Sequence, residues 1–192
     1  MAERPACHVN RTTRETDVRL TLGGEAAQLD LPVPIFRHLL GAAAATWGLP
    51  LRLSATGDTL VDPHHLIEDV GIVLGQALAD YLPGYSGVGR YGFALVPMDD
   101  ALAEVALDLS GRAGAHLANM PDGAVGGVDG EAFAEFFHGF SRGARCTIHV
   151  ALRAGGNRHH AWEASFKAFG LALRQATLPR PGELLSTKGV IA

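Results

Sequence analysis

Apolar and polar positions along the chain switch between a period of two and a period near 3.6, and the switches mark the elements. Alternation in residues 17–22 (DVRLTL) and 51–56 (LRLSAT) predicts two strands. Between them, residues 33–46 (VPIFRHLLGAAAAT) have helical spacing, with Pro34 near the start, where its missing N–H costs nothing. Asp62 and Pro63 read as the cap and first position of a second helix. Residues 92–98 (GFALVPM), 103–111 (AEVALDLSG) and 146–152 (CTIHVAL) predict further strands, and residues 130–140 (GEAFAEFFHGF) a third helix. A fourth helix ends at about Ala176, stopped by Pro179 and Pro181. The Gly-rich stretch 113–130 reads as loop.

The same unit is written twice. HHLIEDVGIVLGQAL from residue 64 lies without gaps over HHAWEASFKAFGLAL from residue 159, a shift of 95 residues. Upstream, IFRHLL (35–40) and AFAEFF (132–137) echo each other and set His38 opposite Glu135. A duplication of this kind determines the architecture. One domain is expected, made of two repeats at about 10–88 and 89–178 with an STKG tail beyond them. The fold class is α+β: duplicated half-domains, each packing two helices on one face of a mainly antiparallel, four-stranded sheet.

The doubled HHxxE pattern carries chemistry. Residues i and i+4 share a helix face, so His64 points with Glu68, and His159 with Glu163. The neighbouring histidine in each pair points about 100° away. Two ions satisfy this geometry if each takes the i,i+4 pair of one helix and the odd histidine of the other. The first ion would take His64, Glu68 and His160, and the second His159, Glu163 and His65. The repeat symmetry adds Glu135 to the first and His38 to the second. Imidazole and carboxylate donors suit Mn²⁺, Fe²⁺ or Zn²⁺. A single HH pair is ordinarily a solvated helix turn; its recurrence in register with the same glutamate favours metal. His8 and His116 read as surface or loop residues, His138 as a helix-face residue and His149 as a structural strand residue. Arg90, Arg112, Lys167, Ser186 and Lys188 would form a phosphate site if they converge, through forked guanidinium contacts, point charges and a hydroxyl.

Bulk properties exclude some partners. The 192 residues are 47% hydrophobic, with 24 glycines and a net charge of −4. That balance argues against nucleic acid, which favours a basic surface. Cys7 and Cys146 have no framework partners, as expected in a reducing compartment. The polar start has no signal core, and no apolar run approaches the roughly 20 residues of a membrane span. A cytoplasmic location is expected.

The sequence resembles the imidazoleglycerol-phosphate dehydratase family over nearly its whole length. The likeness rests on RTTRET (11–16), FRHLL (36–40), GDTLVDPHHLIEDVGIVLGQAL (57–78), GRYGFALVPMDDAL (89–102), VALDLSGR (105–112), TIHV (147–150), GGNRHHAWEASFKAFGLALRQA (155–176) and the terminal STKG. The resemblance implies a ribosomal protein S5 domain 2-like fold and a 24-mer of octahedral symmetry built from trimers. It implies active sites between subunits, each with two Mn²⁺ ions. The implied substrate is imidazoleglycerol phosphate, dehydrated to imidazoleacetol phosphate in histidine biosynthesis. His38, His64, His65, Glu68, His159, His160 and Glu163 match the family's metal ligands. Glu15, Arg90, Arg112, Lys167, Ser186 and Lys188 match its substrate contacts, with Glu15 the implied carbon base and the paired histidines part of the catalytic set. Three positions depart from the pattern. Arg37 stands where the family has Asp, Thr46 where it has a substrate-proximal His, and Glu135 where it often has His. The alternatives are a divergent metal-dependent lyase acting on another imidazole or phosphorylated polyol, or a catalytically silent metal-binding shell.

Overall fold

Two four-stranded sheets of the same topology face a common layer of four helices. The computed structural model describes residues 4–24, 27–181, 185–186 and 191. The first sheet contains β1 (Cys7–Thr12), β2 (Thr16–Leu22), β3 (Gln28–Asp30) and β4 (Leu51–Gly57), in the order β1-β2-β4-β3. The second contains β5 (Tyr91–Met98), β6 (Ala101–Asp108), β7 (Gly114–Ala118) and β10 (Thr147–Ala154), in the order β5-β6-β10-β7. In each, the last strand in the order is parallel to its neighbour and every other pairing is antiparallel. The helices are α1 (Pro34–Trp47), α2 (His64–Tyr81), α3 (Gly130–Ala144) and α4 (Arg158–Thr177). A short hairpin, β8 (Ala124–Val125) with β9 (Val128–Asp129), precedes α3.

The expectation of loop for residues 113–130 is corrected. This stretch holds β7 and the β8–β9 hairpin. GAHLA lacks apolar alternation because β7 is a partly exposed edge strand. Its only ladder is with β10, about thirty residues further on, so no local signal announces it. For the same reason β1 and β3 went unpredicted: they are also edge strands, and none of their residues is buried.

Each sheet buries alternate residues of its central strands. Val18, Leu20 and Leu22 of β2 and Leu53 of β4 enter the same hydrophobic cluster as Val105 and Leu107 of β6 and Val150 of β10. Seven phenylalanines fill the helical layer between them: Phe36, Phe133, Phe136, Phe137, Phe140, Phe166 and Phe169, all fully buried. Phe133 meets Trp162 at 5.3 Å, and neighbouring ring centroids among the other six lie 4.8–6.2 Å apart, mostly edge-to-face, the arrangement that the ring quadrupole favours. The halves therefore share one core.

Helices pair across the duplication, α2 with α3 and α1 with α4. Glycines set the α2–α3 distance. A Cβ on Gly71 would lie 2.3 Å from the Phe136 carbonyl oxygen, and one on Gly75 2.3 Å from that of Phe140. From the other side, Gly139 meets the Glu68 carbonyl and Gly143 that of Ile72 at comparable distances. These helices touch through backbone, so neither can rotate without opening the core. Gly75→Ala is expected to destabilise the protein by roughly 1–3 kcal/mol, the usual cost of overpacking. Urea unfolding monitored by circular dichroism will measure it.

Candidate active site

Both HHxxE segments open a helix; Asn157 caps the second, whereas the first begins at His64 with Pro63 in the cap position, one residue later than expected from Asp62 and Pro63. The Asp62 carboxylate accepts from the His64 N–H (2.8 Å). Asn157 does the same in the second half, accepting from the N–H groups of His159 (2.9 Å) and His160 (3.3 Å).

The second repeat gathers a compact ligand group. Nε2 of His38, from α1, lies 2.9 Å from Oε2 of Glu163, and Nε2 of His159 lies 3.0 Å from the same oxygen. Among the described residues this is the one group of three or more possible metal ligands, with donor atoms all within 4.8 Å of one another. Lys167, one turn further along α4, reaches the other carboxylate oxygen at 2.8 Å. Burial by itself raises the Glu163 carboxyl, but hydrogen bonds from Lys167 and His38 outweigh it and bring it down to about 2. The carboxylate is thus charged at neutral pH, 9% exposed, and faced by two half-exposed imidazoles.

The remaining candidates lie elsewhere in the chain. His64 and His65 stand edge-on at 5.6 Å. Nδ1 of His65 is 3.4 Å from Oε2 of Glu15, which the β1–β2 turn carries. Glu68 forms an ion pair with Arg142 of α3. Glu135 is half-buried on α3 and outside the ligand group. His160 turns to the β5–β6 turn, where its Nδ1 meets Asp100 at 2.7 Å. Thr46 donates its hydroxyl to the Lys167 carbonyl (3.0 Å). It ties α1 to α4 beside Gly170, whose Cβ would overlap it.

The phosphate candidates divide. Arg90 forms a bidentate pair with Asp108 (2.7 and 3.2 Å) and also donates to the Leu185 carbonyl, next to Ser186. Arg112 follows Ser110 at the same end of the second sheet and donates back to the Ser110 carbonyl (3.3 Å). Lys167 instead lies beside Met98 at the far end of β5, its Nζ 3.5 Å from Sδ. At roughly 3.3 Å per residue, the eight residues of β5 separate those ends by about 23 Å. Lys188 is outside the described residues.

Several functional neighbours escaped sequence reasoning. Asp69, directly after Glu68, accepts from Arg11 (2.8 Å) and from the Thr16 hydroxyl. That pins the strands flanking the Glu15 turn onto α2. Asp100 accepts from the backbone N–H groups of Gly156 (2.7 Å) and Asn157 (3.0 Å) as well as from His160. The Asn157 N–H, then that of Gly156, then His160 hold its carboxyl well below the ordinary range. The signal for Asp100 was its place at a turn between two alternating strands. Its partners lie about 60 residues away and left no local trace.

Comparison with known proteins identifies the family. The family model for imidazoleglycerol-phosphate dehydratase matches residues 32–173. The chain belongs to the imidazoleglycerol-phosphate dehydratase family. It is 48% identical to the imidazoleglycerol-phosphate dehydratase of Halorhodospira halophila, with both chains fully covered. To that of Deinococcus radiodurans it is 47% identical over 94% of this chain and 96% of the relative. The crystal structure of the Pyrococcus furiosus family member superposes with a TM-score of 0.86 at 41% identity, covering 95% of this chain and 99% of that one. The Staphylococcus aureus structure gives 0.81 at 34% identity, covering 91% and 99%.

Glu163 is the anionic member of the ligand group, so Glu163→Gln is expected to weaken divalent-ion binding at it. Loss of a ligand should cost at least the roughly 10–100-fold that loss of an outer partner costs. Isothermal titration of the metal-free protein with Mn²⁺ reads the effect.

Proposed function

We propose that the chain is a hydro-lyase that dehydrates imidazoleglycerol phosphate to imidazoleacetol phosphate and water in histidine biosynthesis. The observation that carries the reading is the convergence of His38, His159 and Glu163, from two helices, in a chain that matches the dehydratases end to end. Two imidazole nitrogens facing one charged carboxylate oxygen form a donor set of the hardness that Mn²⁺ accepts. We assign two Mn²⁺ per active site. His38, His159, Glu163 and His65 would hold one; His64, Glu68, His160 and Glu135 would hold the other. When bound, the ions supply Lewis-acid stabilisation of negative charge on the substrate's azole ring.

The protein's own groups do the rest. The reaction removes a hydroxyl from the carbon beside the ring and a hydrogen from the next carbon, and the resulting enol becomes the ketone. Glu15 takes the proton from carbon. Its carboxylate is 58% exposed and bordered by His65, so it can reach a substrate and release the proton to water. Arg112, Lys167, Ser186, Lys188 and Arg90 hold the phosphate, a remote handle whose binding energy aligns the reacting carbons.

The separation along β5 supports active sites shared between subunits. Three carbons link ring and phosphate in the substrate, a span of about 5 Å at ordinary bond lengths. Within one chain, Arg90 precedes one end of β5 and Lys167 lies beside the other, and strand rise separates those backbone ends by about 23 Å. A second copy that supplies one of the two halves would join them. We assign a homo-oligomer of chains with repeats at about 10–88 and 89–178, and take the 24-mer of trimers from the family resemblance. No described helix is long and apolar enough to cross a membrane, in keeping with a cytoplasmic enzyme.

Two measurements test the proposal. Purified protein supplied with Mn²⁺ and imidazoleglycerol phosphate should release the ketone, and Glu15→Gln should lower kcat by about 10²–10⁴-fold, the usual worth of a general base. No turnover with both ions bound would overturn the assignment. Arg112→Ala and His159→Ala should each be inactive alone, yet regain part of the activity when unfolded and reassembled together. A site built within one chain gives no recovery.

A further inference from the structure

The two repeats place a carboxylate in the same relation to the second histidine of each pair, but they hold it differently. In the first, Glu15 of the β1–β2 turn stands 3.4 Å from Nδ1 of His65, and both side chains are 58% exposed. In the second, Asp100 of the β5–β6 turn stands 2.7 Å from Nδ1 of His160. The Asp100 carboxylate is fastened on its other oxygen, Oδ2, by the N–H groups of Gly156 and Asn157. Asn157 in turn caps α4 through the N–H groups of His159 and His160. The turn, the cap and the imidazole therefore form one clip. Asp99, the neighbouring turn residue, lies 3.5 Å from Nε2 of His160 on the open side.

We propose that Asp100 is a positioning residue that locks His160 in the Nδ1–H tautomer and so keeps Nε2 unprotonated and aimed outward as a donor atom. An ionised carboxylate only accepts, so the ring nitrogen facing it must donate. Each ring nitrogen has a carboxylate near it, and the 2.7 Å contact of Nδ1 with Asp100, against 3.5 Å for Nε2 with Asp99, decides which one donates. A ligating histidine whose other nitrogen is held by a carboxylate is fixed in both tautomer and ring orientation. The inference rests on reading His160 as a metal ligand. It also divides the labour between the two turn carboxylates. Asp100 is short, bonded at both oxygens and suited to orient; Glu15 is longer, more loosely placed and suited to move a proton.

Asp100→Asn is the discriminating variant. Two backbone N–H groups point at the Oδ2 position, so the amide oxygen must go there, leaving the amide NH₂ to face His160. An NH₂ donates, so Nδ1 becomes the acceptor and the proton moves to Nε2, where it blocks coordination. The clip to α4 survives, because its acceptor is retained. Solid-state ¹⁵N spectra of histidine-labelled, metal-free protein in alkaline buffer, where imidazole is neutral, read the tautomer directly. The His160 signal is assigned by its absence in His160→Gln. The expected result is Nδ1–H in the unmodified protein and Nε2–H in Asp100→Asn, with Asp100→Glu restoring Nδ1–H. Mn²⁺ affinity should fall about 10–100-fold in Asp100→Asn and recover in Asp100→Glu. A protonated Nε2 in the unmodified protein, or an unchanged tautomer in Asp100→Asn, would overturn the assignment. A tautomer switch without loss of Mn²⁺ affinity would uphold the role of Asp100 and count instead against His160 as a ligand.

Discussion

Close backbone contact between helices from opposite halves is the constraint on which the site depends. Gly71 and Gly75 of α2 lie against carbonyls of α3, and Gly139 and Gly143 of α3 lie against carbonyls of α2. Gly170 repeats the theme where α4 meets α1. Without side chains in the way, each helix pair is fixed in both distance and rotation. That rotation brings Arg142 to Glu68 on one side and His38 to Glu163 on the other. A helix turned by one residue would swing its ligands through about 100° and scatter them.

The two ligand regions are related by duplication but are not equivalent. Glu163 is met by Lys167 from its own helix and by two imidazoles. Glu68 is met by an arginine from a neighbouring helix. Thr46 fits this asymmetry. Its hydroxyl joins the helix contact instead of extending into solvent, so α1 presents His38 alone to the ligand group. The structure gives no physical account of Arg37.

Polarity is also sorted along the second sheet. One end of β5 carries the turn carboxylates and the ligand group, and the other carries Arg90, Asp108 and Arg112. The cation beside the ligand group is instead Lys167, which pairs with Glu163.

Residues 64–78 and 159–173 were legible in the sequence because each carries its own periodicity, start signals and donor types. Duplication, the four helices and the long central strands follow from patterns of that local kind. The edge strands β1, β3 and β7 did not, because an edge strand needs no buried face; β3 and β7 are also laddered to segments well along the chain, whereas β1 pairs with the adjacent β2. The sequence by itself determined which chemical groups the protein owns and on which helices they sit. Only the tertiary structure decided their company: His38 and Glu163 meet across 125 residues, and Asp100 and His160 across 60. Hydrogen bonding acts over about 3 Å of space and is indifferent to separation along the chain, so those pairings exist only once the helices and turns have packed.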